Sequence, residues 1–392
     1  MRRISLIISN LLLFVAIANA QVSIEKILGE VERNNTTLVA LRQKMEAEKI
    51  GSRTGLYPQN PSFEYSYQWG NPADIGSKTD ISLIQSFDFP TAYLYRSKIA
   101  KAEIELLATE YLRQSKQLLL DVRLVCIELV YQNALSSVQG KRVSNAKLIA
   151  DAYSKKLDVG EASALENNKA RLTLLNATQE LFSVKLKQNE LLAKLASLNG
   201  GIPLELSDSV FNMPAIPASF DEWYAATEQS NPDLKAIERE IAVAQRNIQL
   251  SRALCLPQIK AGYASEKVAG EHFQGIAAGI SIPLWENSKR VKYAKARAQY
   301  LRSVEADRRV EIFSRQQAQY NTALELQKNI AEYRNSMGTI NSSRMLDEAL
   351  QKGEISLVDY LLEESLYYSS AETLLQMERD FCRVVAELYQ YQ

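Results

Sequence analysis

Phe87-Asp88-Phe89-Pro90, a long stretch without proline, then Gly160-Glu161-Ala162-Ser163: this punctuation occurs twice. The second copy reads Ile280-Ser281-Ile282-Pro283, a similar stretch, then Gly353-Glu354-Ile355-Ser356. Proline to glycine is 70 residues in both copies. A repeat of that length, with its punctuation in register, predicts a fold built from two related halves. Working outward, each half has the same order: short helix, two strands, a very long helix and a medium returning helix.

Thr91 to Leu157 is 67 residues with one internal glycine, Gly140. Ile104, Leu107, Tyr111, Leu118, Val122, Val125 and Leu129 recur in steps of three and four, interrupted where Ser115 occupies the stripe. That is a coiled-coil-like seam on a helix roughly 100 Å long. Leu284 to Leu350 is the equivalent in the second half, and Glu161–Leu198 and Glu354–Tyr389 are the returning helices. Leu172, Leu175, Phe182, Leu186 and Ala193 stripe the first of these. Val22–Arg53 and Phe220–Ala253 read as the short opening helices, with Asn35–Leu38 and Asn231–Leu234 marking the same point in each.

Strands precede each long helix. In the first, Phe63, Tyr65, Tyr67 and Trp69 alternate with Glu64, Ser66 and Gln68. Ile81, Leu83, Phe87 and Phe89 share one face of the next. Ile259, Ala261 and Tyr263, then Ile276, Ala278, Ile280 and Ile282, repeat the pattern in the second half. Each segment has about the length of a tilted membrane-spanning strand. Gly270-Glu271-His272 reads as a turn, as does Gly70-Asn71-Pro72.

The expected organisation is a signal peptide over 1–20, a first repeat over 21–200 with strands near 61–70 and 79–90, and a linker over 201–219. A second repeat follows over 220–392, with strands near 256–266 and 274–284. Arg2, Arg3, the apolar run Leu11–Ile17 and Ala18-Asn19-Ala20 carry the signal-peptide reading. Past them no apolar run approaches the ~18 residues of a spanning helix. The mature chain is therefore soluble after export or enters a membrane as β-strands.

Lys+Arg and Asp+Glu balance at 46 each, which removes any electrostatic argument for nucleic acid. Cys126, Cys255 and Cys382 are too few and too scattered for a disulfide framework. His272 is the only histidine, so no catalytic Ser-His-Asp or Cys-His set and no histidine-based metal cluster is expected. No phosphate-binding Gly-Lys loop occurs. No enzymatic role, cofactor or metal is expected.

Four amphipathic strands cannot close a barrel, since the smallest membrane barrels have about eight. In lipid, an open edge leaves backbone groups unpaired. Strands that cross a membrane must therefore be pooled between subunits.

The duplicated order, the strand pairs ending in hydrophobic-x-hydrophobic-Pro and the Gly-x-x-Ser helix turns resemble the TolC family of outer-membrane efflux proteins, from Val22 to Tyr391. The resemblance implies a mainly α fold with a small β part. Long antiparallel coiled-coil helices would form an α-barrel tunnel through the periplasm, and four strands per chain would contribute to a shared trimeric β-barrel in the outer membrane. It implies a homotrimer that docks to a periplasmic adaptor and an inner-membrane pump, a passive duct gated at the helix-turn tips Gly160 and Gly353. Phe63, Tyr65, Tyr67 and Trp69 become membrane-girdle candidates against outer-membrane lipid.

The family's acidic tip motif is matched by Gly353-Glu354-Ile355-Ser356-Leu357-Val358-Asp359-Tyr360-Leu361, which places Asp359 at the first acidic ring. The position three residues on, acidic in the best-known member, is Leu362, followed by Glu363. Ile355 stands where that pattern has a basic residue. Asp359, Glu363 and Glu166, the first-repeat counterpart of Asp359, are the pore or gate candidates. On the residues alone, Asp359 and Glu363 are a solvated acidic face. The competing architecture is a periplasmic coiled-coil adaptor or scaffold without a pore.

Overall fold

The computed structural model describes residues 24–268, 270–285, 287, 289–339 and 342–391. The expected signal peptide lies outside them. In chain order the elements are α1 (24–34), α2 (Thr36–Gly51), β1 (Ser62–Trp69), a 3-10 turn (Ala73–Ile75) and β2 (Ser77–Phe87). Then come α3 (Pro90–Asp158), α4 (Ala164–Leu198), α5 (Phe220–Glu228), α6 (Pro232–Ala253), β3 (Gln258–Val268) and β4 (Glu271–Ser281). Last are α7 (Arg290–Thr339), α8 (Ser342–Lys352) and α9 (Leu357–Leu388).

Each opening helix, expected as one piece, is interrupted, and an asparagine sits at the break. Asn231 caps α6, its side-chain oxygen accepting from Asp233 N at 2.9 Å, with Pro232 in the first turn. Asn35 does the same for α2, accepting from Leu38 N at 2.8 Å. An asparagine inside a helical pattern competes for the backbone and here starts a new helix.

Pro90 opens α3 directly, as proline's fixed φ suits a first helical position. Its counterpart Pro283 does not open a helix. The expected helix from Leu284 begins instead at Arg290. Asn287 accounts for the delay: its Nδ2 donates to Leu254 O at 2.7 Å, and its Oδ1 accepts from Arg290 Nη1 at 3.0 Å. That ties the segment to the end of α6 before helix geometry resumes. At its other end, α7 runs to Thr339 and α8 begins at Ser342.

The chain divides into two compact units that cut across the repeats. One comprises the described residues up to Val39, Ser115–Thr227, and those from Phe313 onward. Its core is Val31 of α1, Val122, Cys126 and Leu129 of α3, Leu191 and Leu195 of α4, Ile330 of α7, and Phe381 and Val385 of α9. From Leu118 to Leu129 the α3 seam is thus a core seam. On α4 the packed face is Ala170, Ala177, Val184 and Leu191, seven apart. Leu172, Leu175, Phe182 and Leu186 are more than half exposed. The small residues allow close helix approach, and the larger stripe faces away from this chain's core.

The other unit, Ala40–Gln114 and Glu228–Ile312, contains the sheet. Its order is β1-β2-β3-β4, antiparallel throughout. The central pair, β2 with β3, joins the hairpin of the first half to that of the second. Gly262 of β3 opposes Ile84, and a Cβ there would meet Leu83 O at 2.2 Å, so this close approach requires glycine. The second hairpin turns at Gly270, with φ of 93°. Glu271 and His272, read as turn residues, therefore belong to β4, where His272 pairs with Lys267. The left-handed glycine lets the chain reverse within fewer residues than the sequence pattern suggests.

Candidate functional site

The register sorts side chains onto two faces. Phe63, Leu83, Tyr263 and Ile276 stand in one row across all four strands. Phe87, Ile259 and Ile280 form another on the same face. Tyr65 with Ile81, and Tyr67 and Trp69 at the far end of β1, complete it. All four aromatics of β1 are exposed, and Ile276 is 91% exposed. The opposite face carries Glu64, Ser66 and Gln68, then Lys78, Asp80 and Ser82, then Glu266. Lys78 Nζ pairs there with Glu266 at 2.7 Å and Asp80 at 3.4 Å. One side of the sheet is thus mainly apolar and uncovered by this chain, with Lys267 and His272 on it near the second hairpin turn. The other is mainly polar and charged, with Ile84 and Phe273 as its large apolar members. β1 and β4 have unpaired outer edges. A sheet with those properties suits lipid on one side, water on the other, and further strands at both edges.

At the strand–helix junction, Asp88 holds three groups. Its Oδ2 accepts from Arg96 at 2.5 Å, its Oδ1 from Gln258 at 2.9 Å, and its backbone N–H donates to the Tyr93 hydroxyl at 3.0 Å. The Asp in Phe87-Asp88-Phe89-Pro90 therefore ties β3 to the start of α3.

Both helix turns have the same construction. Gly160 and Gly353 have φ of 76° and 74°. Glu161 N donates to Lys156 O, and Glu354 N to Ala349 O, closing the preceding helices in the left-handed cap that favours glycine. Ser163 then caps α4, with its Oγ accepting from Glu166 N, while Glu166 Oε2 accepts from Ser163 N and Oγ. Those bonds hold the Glu166 carboxyl below the usual carboxylate range. Ser356 caps α9 through Asp359 N, and its hydroxyl donates to Asp359 Oδ2 at 2.6 Å. Glu166 and Asp359 are therefore equivalent capping residues, each engaged locally. Asp359 and Glu363 both lie on the exposed face of α9. The two turns belong to one unit, where Leu357 packs with Ala150, Tyr153 and Ala170.

Sequence reasoning passed over the opposite face of α9. Leu357, Tyr360, Glu364 and Tyr368 are buried there at helical spacing. The signal was present, since Glu364 falls in phase with three apolar or aromatic positions.

Among the described residues no group of His, Cys, Asp and Glu is placed to hold a metal ion, and no helix is long and apolar enough to cross a membrane.

Residues 223–391 match the family model described as outer membrane efflux protein. The alkaline protease secretion protein AprF of Pseudomonas aeruginosa is 24% identical over 406 residues, covering 91% of this chain and 82% of AprF. Among solved structures, the outer-membrane channel OprN superposes with a TM-score of 0.79 at 13% identity, over 94% of this chain and 89% of that one. The open state of the MtrE outer membrane channel of Neisseria gonorrhoeae gives 0.77 at 16% identity, over 94% and 88%. Residues 223–391 thus resemble outer membrane efflux proteins. The fold of the chain is that of these outer-membrane channels.

Proposed function

We propose that three copies of this chain close a twelve-strand barrel in the outer membrane and form the exit duct of a tripartite efflux system. A periplasmic adaptor and an inner-membrane pump complete it. The duct is passive, with no chemistry of its own, and the energised partner selects the cargo. The observation that carries this reading is the four-stranded sheet, with its uncovered apolar face and two open edges. Such a sheet is unsatisfied as a monomer in water and in lipid alike. Pooling subunits resolves both problems, with the apolar rows toward lipid and the Lys78-Asp80-Glu266 face toward the lumen.

In this reading Asp359 lines the tip, one carboxylate per subunit, and a ring of carboxylates favours cations. Conductance of the purified protein in planar bilayers tests both parts. Wild type is expected to give small, cation-preferring openings, and Asp359→Ala larger or less selective ones. Openings that the substitution leaves unchanged would keep the duct and remove Asp359 from its gate. No openings from either protein, with wild type recovered in the soluble periplasmic fraction, would favour a scaffold without a pore.

A further inference from the structure

Glu364 is 7% exposed, and its Oε1 has no hydrogen-bond partner. A carboxylate in that position is costly when ionised and acceptable when neutral. Its surroundings sharpen the point. It borders a water-sized cavity of about 10 Å³, together with Asn145 of α3, Leu346 of α8, and Tyr360, Tyr367 and Tyr368 of its own helix. The Tyr360 hydroxyl donates across to Asp347 Oδ1 of α8 at 2.8 Å, and Asn145 Nδ2 donates to the Tyr368 hydroxyl at 3.3 Å.

The charged groups facing Glu364 do not outweigh its burial. Burial, with the like charge of Asp347 on α8 adding to it, pushes the Glu364 carboxyl up. Arg142 and Asn145 of α3 act in the opposite direction, more weakly than burial. Arg142 is shared: it forms an ion pair with Glu180 of α4 and lies over the Tyr368 ring at 5.7 Å. The cluster thus connects α3, α8 and α9 through a single buried acid.

We propose that Glu364 is a proton-operated latch: neutral, it seats α8 and the first turns of α9 against α3, and ionised, it releases them. The sign follows from burial. A carboxyl raised on packing favours the packed arrangement fully below its unperturbed value of 4.5. That preference is lost as pH rises through the raised value. The α8–α9 end is therefore tightest in acid and loosens toward alkaline pH.

Amide hydrogen exchange on the full-length protein at pH 5 and pH 8, corrected for intrinsic exchange, reads this packing without any reference to conduction. Across 345–368, wild type is expected to lose protection at pH 8 relative to pH 5. Glu364→Gln should hold the pH 5 level at both values. Glu364→Met, of similar size and without a proton, should do the same and covers the case in which the glutamine variant folds poorly. Tyr360→Phe removes the bond to Asp347 and should lower protection at both values while keeping the pH dependence. Wild-type protection independent of pH, or an unchanged pH dependence in the Gln and Met variants, would overturn the latch.

Discussion

Leu83→Arg is expected to remove the protein from the outer membrane, and Ser82→Arg, one residue away, to leave it there. Leu83 lies mid-strand in β2, in the row Phe63, Leu83, Tyr263 and Ile276. It is 47% exposed with nothing from this chain covering it. An arginine on the lipid face of a barrel near the midplane costs about 2–4 kcal/mol. That is roughly 30- to 900-fold in an assembly equilibrium for a single chain, and the proposed trimer incurs it three times. Ser82 faces the opposite way, between Glu64 of β1 and Ala264 of β3, on the face that already carries Lys78. There an arginine gains a carboxylate neighbour and stays in water. Fractionation with a heat-modifiability gel measures both. Equal recovery of the two variants from the outer membrane would mean that the apolar rows do not face lipid.

That contrast was available from the sequence because a strand's period of two is a local property. Phe63, Tyr65, Tyr67 and Trp69 declare their common face without any knowledge of the fold. The helix turns were legible for a similar reason: Gly160 with Ser163, and Gly353 with Ser356, combine a left-handed stop with a cap for the next helix. What eluded the sequence depended on partners far along the chain. The pairing of β2 with β3, which joins the two halves, is a matter of register between strands more than 170 residues apart, such as Lys78 and Val268. The late start of α7 depends on Asn287 reaching Leu254. Glu364 stood in plain view beside Glu363, yet one turns inward and the other outward. Only the phase of α9 against α3 and α8 distinguishes them, and that phase is set by packing.

Gly200→Ala is expected to destabilise the protein far more than Gly201→Ala, although both glycines have positive φ, 69° and 88°. Gly200 ends α4 in the left-handed cap, with Gly201 N donating to Ala196 O at 2.8 Å. A Cβ on Gly200 would lie 2.5 Å from Asn34 O, a backbone atom. A Cβ on Gly201 would meet nothing within 4 Å. The backbone at Asn34 is not free to retreat. Asn34 Nδ2 donates to Asn199 Oδ1 at 3.1 Å, Asn35 Nδ2 to Leu198 O at 2.6 Å, and fully buried Asn199 donates onward to Ile202 O at 3.0 Å. This asparagine knot fastens the break between α1 and α2 to the end of α4. Left-handed backbone costs a non-glycine residue about 1–2 kcal/mol, and forcing a packed group aside a further 1–3 kcal/mol. Gly201→Ala carries only the first cost, and Gly200→Ala carries both, about 2–5 kcal/mol in total. Detergent-solubilised protein followed by circular dichroism on heating ranks the two. A midpoint for Gly200→Ala at or above that of Gly201→Ala would show that the turn accommodates the side chain and that the knot does not fix this end of the first repeat.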